Sequence, residues 1–265
     1  MLSSSQIKNK LLTPIVVFLQ KTAVLSAVAC RLVKWTGKHK DPIHPKHLVK
    51  IRDPWYLEYL HAQDIVLDVG CNNGQHTLKA AKKCKFIYGF DYDRGLLQLA
   101  QKEASRLSLK NVEFQIGNAE KAYPYKKQTF NIILFFDVLE HLYEREQALK
   151  EIHRVLKPKG KLLLSVPNKD TSWKRLQERL GLPYYSDPDH KVEFTQKTIE
   201  QLLNNTGYKA TKILPVTLDT PWVGVIDVVG GLSLSAYAAI SRWRRQQALF
   251  NPKESIGWEI VCIKK

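Results

Sequence analysis

Asp64-Ile-Val-Leu-Asp-Val-Gly-Cys-Asn-Asn-Gly74 is the stretch whose reading decides the fold. A short aliphatic run, Ile65 to Leu67, meets a carboxylate, Asp68. A turn with glycines at 70 and 74 follows, and then the helix-compatible Gln75-His-Thr-Leu-Lys-Ala-Ala-Lys-Lys83. Strand, glycine turn and helix in that order build a nucleotide-sized pocket at the strand's carboxyl end. Glycine lets the backbone turn sharply and approach a ligand, and Asn72 between the two tolerates left-handed geometry. The spacing departs from the GxGxxG of dinucleotide sites, one residue short in its second gap and with an acid before the first glycine. A pyrophosphate would be repelled by Asp68, whereas a cationic ligand would be attracted, and an NAD-linked oxidoreductase is disfavoured on that ground.

Outward from this turn the pattern alternates. Phe86 to Phe90 reads as a second strand ending at Asp91, 23 residues after Asp68, where a carboxylate can accept both hydrogens of a ribose diol. A helix over 94–107, strands at 112–116 and 130–135, a helix over 142–156 stopped by Pro158-Lys-Gly160, and a strand at 161–166 follow. This rhythm predicts a mostly parallel sheet with helices on both faces. Beyond Pro167 the spacing predicts helices over 173–180 and 198–205, with Gly207 as the helix-ending glycine, and strands at 209–216 and 258–263. The apolar stretch 222–240 and Arg242-Trp-Arg-Arg245 stand between those last strands.

The motifs over 64–168, in this order, resemble class I S-adenosylmethionine-dependent methyltransferases, in the branch that includes ubiquinone-type O-methyltransferases. Val66 to Gly74 is similar to that family's first motif, Gly89-Phe-Asp-Tyr-Asp93 to its acidic second-strand motif and Gly117-Asn-Ala-Glu120 to its adenine loop. Asp137-Val-Leu-Glu-His-Leu142, Arg154 to Gly160 and Leu163 to Asn168 resemble its fourth- and fifth-strand region. The resemblance implies a Rossmann-like seven-stranded αβα sandwich, α/β in class, mostly parallel with an antiparallel last strand. An N-terminal helical extension and an insertion before the last strand would be added to it. It also implies S-adenosyl-L-methionine as cofactor and a contact set of Asp68, Gly70, Cys71, Asn72, Gly74, Asp91, Tyr92, Asn118, Ala119 and Asp137. Asp68 and Gly70 would lie at the methionine and ribose end, Asp91 at the ribose hydroxyls, and Asn118 with Ala119 at the adenine. Where the family more often has Asp, this chain has Asn118, and Asn72 replaces the family's middle glycine.

Methyl transfer is a displacement at carbon, so alignment of nucleophile, methyl and sulfur supplies much of the catalysis. A hydroxyl nucleophile must also lose a proton. Asp137, Glu140 and His141 share one face if their stretch is helical, and His190 comes from a segment expected to overhang the pocket. His141 or His190 is therefore the candidate general base. The same two histidines with Asp137 and Glu140 also form a mixed oxygen and nitrogen set suited to a divalent ion, while bracing of the helix needs no chemistry at all.

The 265 residues suffice for one large core and an appendage: a basic extension at 1–50 and a methyltransferase domain at 51–265. Within the latter, 64–168 is the cofactor half, and 168–195 with 215–250 shape the acceptor site. Four scattered cysteines, without CxxC spacing, suit a reducing, cytoplasmic compartment. The formal charge of +16 favours phosphate-bearing partners and gathers at Arg31 to Lys50, at 79–85, at 121–127 and at 242–245. The apolar runs at 11–19 and 23–30 imitate a signal peptide, and Ala27-Val-Ala-Cys30 a lipoprotein cleavage site. Gln20 and Lys21 interrupt them and Pro14 sits inside, so a helix lying on an anionic membrane surface, or packed on the core, is the expectation. The acceptor expected is a small molecule, a glycan or a lipid-linked compound. RNA ranks below these because no RNA-binding module accompanies the charge. A methyltransferase-like binding protein without catalysis is the alternative outside the enzymes.

Overall fold

In the computed structural model, which describes residues 4–49 and 53–265, the chain groups into two compact units. One comprises Pro54–Asn168, Ser186–Leu214 and Gly257–Lys265, and it carries the sheet. The other comprises Met1–Asp53, Lys169–Tyr185 and Pro215–Ile256 and is helical. The boundary expected at residue 50, and Lys50 of the basic stretch, lie outside the described residues.

The strands are β1 (Ile65–Val69), β2 (Phe86–Asp91), β3 (Val112–Ile116), β4 (Phe130–Phe136), β5 (Leu156–Pro167), β6 (Tyr208–Pro215) and β7 (Gly257–Lys264). Their order is β3-β2-β1-β4-β5-β7-β6. The first five run parallel, and β7 pairs antiparallel with β5. Strand order reverses between β1 and β4, and the carboxyl ends diverging there leave a crevice. Consecutive residues of β1 serve opposite faces. Leu67 and Val69 pack with Phe135, Leu164, Ile260 and the helix α5 (Arg145–Val155), whereas Val66 packs with Ile87, Leu134, Val261 and Tyr56. Burial on both faces explains why these strands are continuous apolar runs rather than alternating ones.

On this unit also lie α3 (Gln75–Ala81), α4 (Arg94–Arg106) and α7 (Gln196–Asn205). Asp93 caps α4 by accepting from the backbone of Gly95 and Leu96, and Thr195 caps α7 through a capping box with Thr198. Gly207, at φ +86°, follows the end of α7 as the sequence predicts.

Two expectations change around β4 and β5. The helix read over 142–156 is only Arg145–Val155, preceded by a single 3-10 turn at Leu139–His141. Pro158-Lys-Gly160 does not end that helix. It lies inside β5, which begins at Leu156 opposite Phe130 and shifts register before Lys161 meets Ile132. Gly160 permits this, because a Cβ there would stand 2.9 Å from the Asn131 carbonyl oxygen.

The helical unit contains α1 (Ser4–Lys21), α2 (Leu25–Trp35), α6 (Ser172–Arg179), α8 (Val223–Leu232) and α9 (Leu234–Phe250). Its densest packing is α2 against α8. Among the described residues, Lys10–Trp35 is a stretch of 26 residues long and apolar enough, with a mean hydropathy of 1.8 in its most apolar 18-residue window, to cross a membrane by length and composition alone.

Candidate active site

The turn after β1 is held by the end of β2. The Gly70 and Cys71 amides both donate to the Phe90 carbonyl, at 2.9 and 3.0 Å. Gly70 has φ +72°, and a Cβ there would lie 2.5 Å from Cγ2 of Val138, so the loops after β1 and β4 meet at a position only glycine fills without strain. Asn72, at φ +50°, donates its amide to Oδ2 of Asp91 at 2.8 Å, and the Asp93 amide donates to Oδ1 at 3.0 Å. Each Asp91 oxygen therefore has one acceptor direction engaged and one left, which suits a pair of vicinal hydroxyls.

Asp68 takes a different place from the one its motif implies. It is buried, accepts a 2.6 Å hydrogen bond from the Thr77 hydroxyl of α3, and does not line the cavity. Burial pushes its carboxyl up to about 7, against the Thr77 hydrogen bond and with a further push from Asp91. Asp68 thus ties β1 to the first turn of α3 from behind the glycine turn. Cys71 is likewise buried with its thiol pushed up by burial and by both aspartates, and Gly74, at φ +76°, packs toward Ala100 and Phe114.

A cavity of about 580 Å³ opens at the carboxyl ends of these strands. Gly70, Asn72, Asp91, Tyr92, Asn118, Ala119, Asp137 and His141 line it, whereas Asp68, Cys71, Gly74 and His190 do not. Four carboxylates face it, from Asp91, Glu120, Asp137 and Asp189, against the single ammonium of Lys191. Phe90, Leu96, Val138, Ala119 and Leu142 add apolar wall suited to a purine. Volume, diol acceptor and negative field fit a nucleoside carrying a positive charge. Glu120 also accepts from the Tyr143 and Glu144 amides at 2.6 and 2.7 Å, steadying the entry to α5. Asp189 and Lys191 come from the 168–195 region, yet neither stands in a motif, and only the position of that region signals them.

The acid–His cluster is not one helical face. Asp137 sits in left-handed backbone (φ +54°), exposed, with the Ser165 hydroxyl donating to its Oδ1 at 2.9 Å. Glu140 turns inward and is buried, with no hydrogen-bond partner for its Oε2 among the described residues. Burial, with Asp137, Glu193 and Asp187 nearby, raises its carboxyl to about 8. His141 faces the cavity and meets the His190 ring edge-on at 4.7 Å between centroids. His190 Nδ1 lies 2.9 Å from Oε1 of the buried Glu193, and its Nε2 4.0 Å from Oε1 of Glu140. The segment bearing His190 is pinned to the turn by the Lys191 amide, which donates to the Glu140 carbonyl at 2.8 Å. Glu140, His141 and His190 each offer one ligand atom within 4.8 Å of the others, a set in which Asp137 takes no part. Glu193 escaped the sequence reading, although its place three residues after His190 was the available signal.

A methyltransferase-domain model matches residues 60–207, more than half of the chain and the whole span of these loops. The chain belongs to the methyltransferase-domain family. A probable S-adenosylmethionine-dependent methyltransferase of Mycolicibacterium smegmatis is 26% identical over 151 residues, covering 57% of this chain and 54% of that protein. The ubiquinone biosynthesis O-methyltransferase of Coxiella burnetii is 30% identical over 131 residues, 48% of this chain and 54% of the relative. The chain thus spans about half the length of these curated relatives. A solved S-adenosylmethionine-dependent methyltransferase from Methanosarcina mazei superposes with a TM-score of 0.57 at 21% identity, over 80% of this chain and 98% of that one, which shows the fold. In this methyltransferase family the cofactor is S-adenosylmethionine, whose positive charge suits an acidic cavity.

Proposed function

We propose that this methyltransferase moves the methyl group of S-adenosylmethionine to an oxygen of a small, glycan or lipid-linked acceptor. The observation that carries the reading is His141 at the wall of the acidic cavity, packed on a second histidine that Glu193 orients. The cofactor supplies an electrophilic methyl on a positively charged sulfur, which leaves as a neutral thioether. Asp91 would accept from the ribose diol, the Asn118–Ala119 loop and Leu96 would bound the base, and the surrounding carboxylates would draw the sulfonium into the cavity. His141 takes the proton from the acceptor hydroxyl as the oxygen–carbon bond forms and the carbon–sulfur bond breaks. His190, held by Glu193, positions the His141 ring. The 30% identity to a ubiquinone biosynthesis O-methyltransferase supports oxygen as the receiving atom.

The test incubates the protein and labelled cofactor with cell extracts, identifies the labelled product by mass spectrometry, and titrates S-adenosylhomocysteine by calorimetry. His141→Ala is expected to lower turnover by about 10² to 10⁴-fold with homocysteine-product affinity unchanged. Full turnover in that variant, or in His190→Ala, removes the residue from its role. A second reading uses the same residues to hold a divalent cation, favoured by the unpartnered Oε2 of Glu140. Loss of turnover on chelation, restored by added metal, selects it. A product labelled on nitrogen, carbon or RNA replaces the oxygen assignment, and cofactor binding without product across acceptor panels favours a non-catalytic binding protein.

A further inference from the structure

The helical unit is inside out for a surface in water. On α8 the buried positions are Gly224, Asp227, Gly230 and Gly231, while Val223, Val225 and Leu232 are exposed. Its glycines let the backbone lie directly on the first two helices and their joint. A Cβ at Gly224 would fall 1.8 Å from the Thr22 carbonyl oxygen, and one at Gly231 would fall 2.7 Å from Cβ of Leu32. The polar atoms are gathered within. Asp227 accepts from the Ser26 hydroxyl at 2.5 Å and pairs with Nε2 of His44 at 3.1 Å, and Thr36 donates to the Gly231 carbonyl at 3.2 Å. Helices that keep small and polar groups in their contact and turn aliphatic side chains outward are the arrangement favoured beside lipid.

The first helices repeat the pattern. Leu11, Ile15 and Phe18, at i, i+4 and i+7, form one stripe of α1 and are 68, 55 and 66% exposed. Trp35 closes α2 at 81% exposure. Of the most apolar window of Lys10–Trp35 only 6% is buried. The charge that these helices carry has one sign: Lys10, Lys21, Arg31 and Lys34 are exposed, and no acid occurs from residue 10 to residue 40. Residues 1–53 as a whole hold ten lysines and arginines against Asp41 and Asp53. An apolar stripe on helices whose only formal charges are cationic complements an anionic bilayer rather than a protein of mixed surface charge.

We infer that α1, α2 and the outward face of α8 form a docking surface for an anionic lipid bilayer, lying in its interface. Lys21, exposed midway between Lys10 and Arg31, would sit at the centre of the hydrocarbon if the stretch spanned the membrane, so the in-plane orientation is the one that keeps every charge at the headgroups. This inference does not depend on the acceptor or on turnover, and S-adenosylhomocysteine affinity measured on the same samples separates the two.

The test is flotation of the full chain with vesicles of phosphatidylcholine alone and of phosphatidylcholine with phosphatidylglycerol. Binding to the anionic vesicles, weakened by salt and reversed by alkaline carbonate, is expected. Leu11→Glu with Phe18→Glu, two exposed positions, should weaken it by about tenfold or more without change in S-adenosylhomocysteine affinity. Lys10→Glu with Lys21→Glu and Lys34→Glu should abolish the preference for anionic vesicles while the same control holds. The inference is overturned by absence of flotation, by unchanged binding in the charge or apolar variants, or by release with detergent alone, which would mean a span. It is equally overturned if the wild-type chain is a dimer that Phe18→Glu splits while neither vesicle binds, because the surface would then belong to a second copy.

Discussion

Asp91 performs two tasks at once, holding the Asn72 and Asp93 amides and presenting its remaining acceptor directions to the cavity. Asp91→Ala should therefore weaken S-adenosylhomocysteine binding by about 10 to 100-fold, the worth of hydrogen bonds to a charged acceptor, read by calorimetry. Asp91→Asn, which keeps an acceptor oxygen but not the charge, should fall between. Asp68 behaves oppositely, because its carboxyl is raised in the folded chain from an ordinary 3.8 to about 7. The folded state then binds more protons than the unfolded one across that interval. Stability falls as pH rises from about 4 to about 7 and is level outside it. Asp68→Asn keeps an oxygen for the Thr77 hydroxyl and removes the buried charge, so the fall in urea midpoint between pH 5 and 8 should shrink. Glu140, raised from 4.5 to about 8, contributes in the same sense, whereas buried His76, lowered to about 4, works oppositely below about 6.5. Asp68→Asn with Glu140→Gln should therefore turn the fall between pH 5 and 6.5 into a rise.

Among the elements, the segment 186–194 matters most to chemistry, since it carries His190 against the turn after β4. Glu193 accepts from the Ser186 amide and faces His190 Nδ1, and Asn168 bridges to Phe194 beside it. Glu193→Gln preserves the shape of this bend but replaces the carboxylate that holds His190 Nδ1 with an amide. In that variant kcat should fall while S-adenosylhomocysteine affinity stays constant, and an unchanged kcat would leave Glu193 a purely structural brace. Strands and glycine turns of this unit were legible in the sequence because buried parallel strands are contiguous aliphatic runs and because each ligand loop follows its strand directly. Pairings across distant segments were not legible. Nothing local to Asp68 says that Thr77, nine residues on, takes its carboxylate inward, and nothing local to Pro158 says that a register shift lets it remain in β5. The α8 stretch shows the same limit, for hydropathy counts its valines but cannot tell which way they point.

Across the whole molecule, charge of opposite sign is placed to different ends: a strongly cationic chain holds an acidic cavity. A net +16 should attract RNA, and the acidic cavity should keep it from being a substrate. Association governed by displaced counterions should lose about tenfold or more between 50 and 200 mM salt and should ignore nucleotide sequence. The cavity, with four carboxylates against one lysine, repels a phosphodiester backbone, so saturating RNA should leave S-adenosylhomocysteine affinity unchanged and should not receive labelled methyl. Filter binding across that salt range, calorimetry with RNA present and scintillation counting of recovered RNA measure the three quantities. A salt-insensitive association, or label in the RNA, would show that an oligonucleotide reaches His141 despite that field, and the acceptor would then be a nucleic acid.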